Sequence, residues 1–260
     1  MEYDLPEEVR VELDGPVRII TLNRPEKFNT VNPGLHRGLR LAFEQMQDDR
    51  EVRAAILTGA GKAFSAGGDI STFGDTATDI DWRRYQLRGT RHLADRMLDC
   101  HVPVVAAING AAVGLGCSIA VLCDIVFASE KAYFADPHVA VGLVAGDGGA
   151  ASWPLMMSIL KAKELLLLGT RVSAQEALGL GLVNRVVPHD DLMTEALALA
   201  HRLAKLPPAS VQDTKRSLNL HMKRAFHGVM DFAIAAESES FVTPEHHAKV
   251  EEFMTRKGEK

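Results

Sequence analysis

The sequence lacks the features that mark secreted, membrane-spanning or nucleic-acid-binding proteins. It has only three cysteines, Cys100, Cys117 and Cys123, and their odd number and spacing offer neither a disulfide framework nor a metal site. The acidic amino terminus has no apolar segment of a secretory signal, and no apolar run reaches the roughly 18 residues of a membrane span. The formal charge is only -5, and no lysine or arginine cluster indicates a nucleic-acid surface. These absences predict a cytoplasmic protein with buried free thiols that binds neither membranes nor nucleic acids.

The residues that are present favour an α/β fold. At 260 residues and 47% hydrophobic content, the chain can bury one large core. A strand-like unit recurs before glycine turns and helical stretches, as DGPVRIITL, AAILTG, VVAAING and DIVFAS. This recurrence predicts a spiral or layered core of repeated ββα units over residues 1–195. Residues 196–260 are predicted to form a helical region that either folds back on this core or packs against another subunit.

Two glycine turns that follow strands indicate a binding site for negative charge. FSAGGDI, residues 64–70, follows the predicted strand Ala54–Thr58. Gly114-Leu115-Gly116 follows the strand Val104–Ile108 and precedes a predicted helix at Cys117–Cys123. The first backbone N–H groups of a helix have no partner within it, and the helix dipole also favours an anion there. These turns can therefore stabilise a negative charge, including one that exists only in a transition state.

Two titratable side chains lie just beyond these turns. His138 follows Pro137, and Asp147 stands in the glycine-rich loop before a helical stretch. An imidazole and a carboxylate near an anion-binding turn suit general acid–base catalysis. Two structural alternatives stay open at this point. Asp147 could be the N-cap of the following helix, and His138 could bond only to the backbone.

Four motifs in order, FSAGGDI, INGAAVGLG, CDIVFAS and GLVNRVV, resemble the crotonase, or enoyl-CoA hydratase/isomerase, superfamily. The resemblance extends from about Val17 to Val187. It implies a spiral of ββα units with a helical carboxyl-terminal region that builds trimers, usually paired into hexamers. It also implies acyl-CoA substrates, no metal and no cofactor beyond the coenzyme A of the substrate, and an oxyanion hole for the thioester oxygen.

The resemblance assigns roles to individual residues. The two donors of the oxyanion hole would be the backbone N–H groups of Ala66 and Leu115. Asp69 would shape the first hole loop by capping the next helix. The residues that would contact the acyl-CoA are Arg24, Lys27, Ala66, Asp69, Ile70, Gly114, Phe253 and Arg256. For the basic residues among these, an ordinary surface charge is the alternative.

The acid–base positions depart from the hydratase pattern. Hydratases of the superfamily carry glutamates at the positions of Ser118 and His138, and neither residue is a carboxylate here. Addition of water by two glutamates at these positions therefore cannot be carried over. Ser118 lacks the context of a nucleophilic serine, and we expect it to serve packing alone.

The spacing of His138 and Asp147 resembles another branch of the superfamily, the β-diketone hydrolases related to 6-oxocamphor hydrolase. In that branch a histidine–aspartate pair serves hydrolytic cleavage of a carbon–carbon bond. His36 and Glu237 match a further histidine and a carboxyl-terminal glutamate of the branch. The alternatives are a surface position for His36 and a solvated or interface position for Glu237.

Three functional hypotheses follow. The first is an enoyl-CoA hydratase-like lyase, in which Ala66 and Leu115 stabilise the enolate oxygen while His138 and Asp147 handle the proton and water. The second is a hydrolase that cleaves a carbon–carbon bond of a β-diketone or β-ketoacyl compound through the same enolate chemistry. The third is a non-catalytic acyl-CoA-binding homologue.

Overall fold

The computed structural model describes residues 3–70 and 79–258, which form two sheets covered by helices. The larger sheet has six strands in the order β1 (Val9–Asp14), β2 (Val17–Leu22), β3 (Ala54–Gly59), β5 (Val104–Ile108), β7 (Ile125–Ser129) and β10 (Arg185–Val187). The smaller sheet has four, in the order β4 (Ala63–Ser65), β6 (Ala111–Val113), β8 (Tyr133–Ala135) and β9 (Val172–Ser173). From β3 to β8, successive strands therefore alternate between the two sheets, in keeping with the predicted repeat of short units.

The first two strands form a hairpin and the others in the larger sheet run parallel. Strands β1 and β2 are antiparallel, with Asp14 opposite Val17 and Gly15 at φ +56° in the turn. The pairs β2–β3, β3–β5, β5–β7 and β7–β10 are parallel. Every residue of β3 and β5 is buried, which explains their unbroken apolar sequences.

Ten α-helices surround the sheets. They are α1 (Pro33–Asp48), α2 (Ile80–Asp99), α3 (Leu115–Val121), α4 (Gly149–Met156), α5 (Ile159–Leu168), α6 (Ala174–Leu180), α7 (Leu192–Ala204), α8 (Pro208–Ala225), α9 (Asp231–Ser240) and α10 (Pro244–Gly258), counted within the described residues. Capping residues determine where two of these helices begin. Asn32 caps α1 through the N–H of Leu35, and Ser173 with Glu176 forms a capping box at α6.

The helical carboxyl-terminal region packs back on the core in part. Leu192, Ala196 and Ala200 of α7 are buried in one cluster with residues of the larger sheet. Helices α8 and α9 are joined through a π-helical turn at Phe226–Met230. None of the described helices is long and apolar enough to cross a membrane. The three cysteines are free.

The register of the smaller sheet brings three loops together. Strands β4, β6 and β8 are parallel neighbours, with Ser65 opposite Ala112 and Val113 opposite Ala135. Because parallel strands end at the same edge of a sheet, the loops that follow them lie side by side. These loops contain the two glycine turns and the segment that carries His138. The fold thus brings together residues that are far apart in the sequence.

Candidate active site

The two glycine turns are in close contact. Gly67 adopts φ +90°, and a Cβ atom built on it would lie 2.7 Å from the carbonyl oxygen of Val113. A real side chain cannot approach a carbonyl so closely, so glycine at this position allows the loop after β4 to pack against the loop after β6. Residues 66–68 and 114–115 consequently line one pocket.

Of the two predicted oxyanion-hole donors, the N–H of Leu115 is unpartnered among the described residues, and the N–H of Ala66 is already hydrogen-bonded. Leu115 is the first residue of α3, where an N–H group has no intrahelical partner, and no hydrogen bond from it is found within the described residues. The N–H of Ala66, in contrast, donates to the carbonyl oxygen of Phe28 at 3.0 Å. It is not available as a hole donor, and the prediction for Ala66 is wrong.

Gly68, in the same loop, offers an unpartnered backbone N–H group, which Ala66 does not. Gly68 lines the pocket, and among the described residues its N–H has no hydrogen-bond partner. The carbonyl of Gly67 and the N–H of Asp69 are both bonded to Val31, which holds the backbone on either side of Gly68. The sequence could not distinguish residues 66 and 68, since only the contact with Phe28 decides which N–H is free.

His138 is oriented by a residue that the sequence analysis missed. It begins a short 3₁₀ turn, His138–Val141, just after β8. Its Nδ1 forms a short hydrogen bond with Oδ1 of the buried Asp136. This bond fixes the ring so that Nε2 lies 3.3 Å from Oδ2 of Asp147 and 3.7 Å from Oε1 of Glu237. The available signal for Asp136 was its position two residues before the histidine.

Asp147 is held by Ser118 as well as by His138. The hydroxyl of Ser118 donates to Oδ1 of Asp147 at 2.9 Å, and both side chains are buried. The N-cap of α4 is Gly148, which has no side-chain cap. The N-cap alternative for Asp147 is therefore wrong. The backbone-only alternative for His138 is also wrong, as is the expectation that Ser118 serves packing alone.

Glu237 enters the same cluster from α9. Gly146 allows this approach, because a Cβ atom at Gly146 would lie 2.6 Å from Oε2 of Glu237. Burial raises the pKa of Glu237 to about 8; the positive charge of His138 opposes this rise, and Asp147 and Asp136 add to it. At neutral pH the carboxyl group is thus mostly protonated. The expectation of a solvated position for Glu237 is wrong, whereas an interface position stays a prediction.

His138 has the opposite charge preference. Burial by itself lowers the pKa of His138, but the negative charges of Asp147 and Asp136 outweigh burial and raise the pKa well above its usual value. The cluster therefore combines a charged imidazolium, two carboxylates and one protonated carboxyl group. Such a set can accept one proton and donate another, which is what addition across a double bond requires.

The same pocket contains His36. Residues of α1, α2 and α9 line it together with the glycine turns, and His36 projects from α1. Burial lowers the pKa of His36 to about 4, with smaller contributions from Arg40 and His92, so the ring is neutral at pH 7. Its Nε2 is buried without a hydrogen-bond partner among the described residues. The prediction of a surface position for His36 is wrong.

The remaining predicted substrate contacts divide into three groups. Ala66, Ile70 and Gly114 line the pocket. Arg24, Lys27 and Asp69 are not among the described residues that line it. The guanidinium of Arg24 instead bonds to the carbonyl oxygen of Thr30 and, at 3.1 Å, to Asp69, while Lys27 is exposed. The side chains of Phe253 and Arg256 lie outside the described residues.

The cluster also contains a possible set of metal ligands. Asp136, His138 and Asp147 each offer one ligand atom, and these atoms lie within 4.8 Å of one another. The hydrogen bonds from His138 to Asp136 and from Ser118 to Asp147, together with the contact of His138 with Asp147, already occupy much of their polar surface. We therefore interpret the cluster as a proton-transfer site.

Comparisons with known proteins show the family to which the chain is similar. A sequence model of the family described as Enoyl-CoA hydratase/isomerase matches residues 12–260. A short-chain-enoyl-CoA hydratase from Clostridium acetobutylicum is 37% identical over 234 residues, which are 90% of this chain and 87% of that protein. A probable enoyl-CoA hydratase from Rhizobium meliloti is 33% identical over 251 residues, covering 96% of each chain.

Solved structures are similar over most of the chain. An enoyl-CoA hydratase/isomerase from Mycobacterium paratuberculosis has a TM-score of 0.92 at 51% identity, covering 96% of this chain and 100% of that chain. A monofunctional enoyl CoA isomerase from M. smegmatis has a TM-score of 0.72 at 31% identity, covering 84% and 94%. These similarities confirm the predicted fold class, a spiral of ββα units with a helical carboxyl-terminal region.

Proposed function

The chain belongs to the enoyl-CoA hydratase/isomerase family, and on that premise we propose that it adds water across the double bond of an enoyl-CoA thioester. The observation that supports this most directly is the shared pocket. Two backbone N–H groups without partners among the described residues line it together with a buried acid–base cluster. Substrate activation and proton transfer can thus occur on one bound molecule.

The backbone groups would act on the thioester. The N–H groups of Gly68 and Leu115 donate to its carbonyl oxygen, which gains negative charge as the enolate forms. Since these donors are fixed before the reaction, they stabilise the enolate more than the ground state. Loss of one such donor typically lowers kcat by about 10²–10³-fold.

The acid–base cluster would handle the two protons of the reaction. Asp147 accepts a proton from water as the oxygen attacks the β-carbon, and the electrons of the double bond move onto the thioester oxygen. The protonated carboxyl group of Glu237 then gives its proton to the α-carbon as the enolate collapses. The product is a 3-hydroxyacyl-CoA, with one proton left on Asp147 and one missing from Glu237.

His138 would restore the starting state. Its Nε2 lies 3.3 Å from Asp147 and 3.7 Å from Glu237, so it can pass the proton from the first carboxyl to the second. Asp136 keeps the ring in place through Nδ1 during this transfer. We therefore place the two carboxyl groups of the hydratase reaction at Asp147 and Glu237 instead of positions 118 and 138.

Hydrolytic carbon–carbon cleavage is the second candidate function. The observation that favours it is the imidazole at position 138 paired with Asp147, the arrangement of the 6-oxocamphor hydrolase-like branch. In this reaction Asp147, beside the imidazolium of His138, would accept a proton from the water that attacks a ketone carbonyl, and the same hole would stabilise the enolate leaving group. The cluster of four ionisable groups argues against a non-catalytic acyl-CoA-binding role.

The proposal is tested by mass spectrometry of the purified protein with enoyl-CoA, 3-hydroxyacyl-CoA and β-diketone panels. Hydration adds the mass of one water to an enoyl-CoA without cleaving it. Carbon–carbon hydrolysis adds one water and opens a ring or splits a chain. Turnover of β-diketones without turnover of any enoyl-CoA would reject hydration in favour of the second candidate. We further propose that no cofactor is needed beyond the coenzyme A of the substrate.

A further inference from the structure

One wall of the pocket is largely apolar and carries one arginine. Trp82 and Phe241 pack edge to face with ring centroids 5.5 Å apart, and Val141 and Leu143 join them in a hydrophobic cluster. Arg83 lines the pocket next to this cluster. The wall therefore suits an aliphatic acyl chain, and Arg83 is the feature that such a chain alone does not explain.

The guanidinium of Arg83 is only partly satisfied by the protein. Its Nη1 donates to the carbonyl oxygen of Ser238 at 3.1 Å, which ties it to the residue after Glu237. Its Nε is buried and has no hydrogen-bond partner among the described residues. No ion pair links it to a carboxylate in the described part of the chain. Arg83 as a whole is only partly buried, but a buried N–H donor without an acceptor is destabilising, so its Nε marks a place where a ligand can supply the missing acceptor.

Arg83 is also the sole source of lysine or arginine charge in this pocket, taking the described lining residues together. His36 contributes a second unpartnered polar atom, Nε2, but its ring is neutral at pH 7 and can supply only a hydrogen bond. A carboxylate matches these features best, because it can accept two parallel hydrogen bonds from one guanidinium and neutralise its charge.

We propose that the acyl group of the natural substrate carries a carboxylate remote from the thioester, and that Arg83 binds it. The substrate class is then a dicarboxylic acyl-CoA. This inference rests on the proposed acyl-CoA chemistry of the same site and specifies its substrate. Arg83 sets specificity in this scheme and takes no part in proton transfer.

The test compares two saturated ligands that cannot be hydrated, adipyl-CoA and hexanoyl-CoA, by calorimetry. They have the same chain length and differ by the distal carboxylate. We expect the protein to bind adipyl-CoA about 10- to 100-fold more tightly, the range of one charge-assisted hydrogen-bonded pair. Arg83→Gln should remove this preference and leave hexanoyl-CoA binding unchanged. Binding does not depend on which reaction the site performs, so failure of hydration would not obscure the result.

Arg84→Gln is the matched control, because Arg84 is adjacent and exposed, and its ion pair within the described residues is with Asp81 at 3.7 Å. It should keep the preference for adipyl-CoA. Equal binding of the two ligands by the unmodified protein, or binding of neither, would overturn the proposal whether or not Arg83→Gln folds. An equal loss of both ligands in Arg83→Gln would also overturn it, since Arg83 would then bind the coenzyme A portion.

Turnover gives a second measurement. With trans-2-hexenedioyl-CoA and trans-2-hexenoyl-CoA as substrates, Arg83→Gln should lower kcat/KM about 10- to 100-fold for the first and change it little for the second. If neither compound is hydrated by the unmodified protein while adipyl-CoA remains the preferred ligand, hydration fails and the carboxylate assignment stands.

Discussion

The Nε2 atom of His138 lies 3.3 Å from Oδ2 of Asp147, and Ser118 holds the other oxygen of that carboxylate at 2.9 Å. Ser118 thus occupies the position of a hydratase glutamate and acts on Asp147, which supplies a carboxylate from a different loop. In the proposed mechanism, the acid–base groups stand at sequence positions other than 118 and 138 but line the same pocket as Gly68 and Leu115.

We expect His138 and Asp147 to act as a unit. His138→Gln and Asp147→Asn should each lower kcat by at least about 10²-fold, and the double variant should be little worse than either. Ser118→Ala should have a smaller effect, because it removes only the hydrogen bond that orients Asp147. Steady-state kinetics with the active substrate measure these effects, and the exposed His221→Gln serves as control. Near-normal kcat in both single variants would make the pair structural.

Glu237 should impose an alkaline limit on activity. Because its pKa rises to about 8, the proton that it donates is lost as the pH rises through that value, and kcat/KM should fall there. Glu237→Gln should lower activity and abolish this limb of the pH profile. An unchanged alkaline limb in Glu237→Gln would assign it to another group.

The same carboxyl group should affect stability. Its pKa is raised from an ordinary 4.5 to about 8, so the folded state binds the proton more tightly than the unfolded state between these values. The stabilisation from this proton is fully present below about pH 4.5 and is lost as the pH rises through about 8. Urea titrations at several pH values should show a smaller decline in the free energy of unfolding for Glu237→Gln over this interval.

The hole assignment is tested at Gly68. Gly68→Pro removes the N–H group, and kcat should fall about 10²–10³-fold. Gly68→Ala retains the N–H at a residue outside the positive-φ glycines, and it should stay far more active. Leu115→Gly should be tolerated because Leu115 acts through its backbone. Acyl-CoA binding and thermal unfolding show whether each variant folds, and a folded Gly68→Pro with normal kcat would refute the role of Gly68.

Gly114 should matter for both stability and activity. It adopts φ +51°, and a Cβ atom there would lie 3.4 Å from Cε1 of His138. The contact distance is ordinary, but alanine is strained at this positive φ, so Gly114→Ala should destabilise the fold by about 1–3 kcal/mol and lower kcat by shifting the turn that holds the N–H of Leu115. Gly15→Ala is the control, because Gly15 has φ +56° and its Cβ would meet no atom of the described residues within 4 Å. Gly15→Ala should also lose stability, because alanine is strained at this positive φ, but it should keep full kcat.

We expect a trimer or hexamer in solution, as the family resemblance implies. Several large apolar side chains on α4 and α5 are exposed in the single chain, namely Leu155, Ile159, Leu160, Leu167 and Leu168. Burial of such a surface between subunits is favourable, and monomers rarely expose so many apolar groups together. Light scattering at micromolar concentration measures the mass. A monomeric mass would contradict the prediction.

The fold class and most of its elements follow from the amino-acid sequence alone. Buried parallel strands have unbroken apolar sequences, as in AAILTG, and the ends of α1 and α6 follow from local caps at Asn32 and Ser173. These features depend on residues within a few positions of one another. The glycine turns and the candidate residues Leu115, His138 and Asp147 could be found for the same reason.

Which groups meet at the site depends instead on contacts between distant parts of the chain. The N–H of Ala66 is bonded to the carbonyl oxygen of Phe28, so the unpartnered N–H of this loop is that of Gly68. No local sequence pattern predicts the contact between residues 66 and 28. Glu237 reaches His138 across 99 positions of sequence because a π-helical turn leads into α9 and Gly146 leaves room for its carboxyl group. A pKa depends on burial and on neighbouring charges. Both are set by the packing of helices and strands against one another, and the relative positions of these elements cannot be read from local sequence patterns.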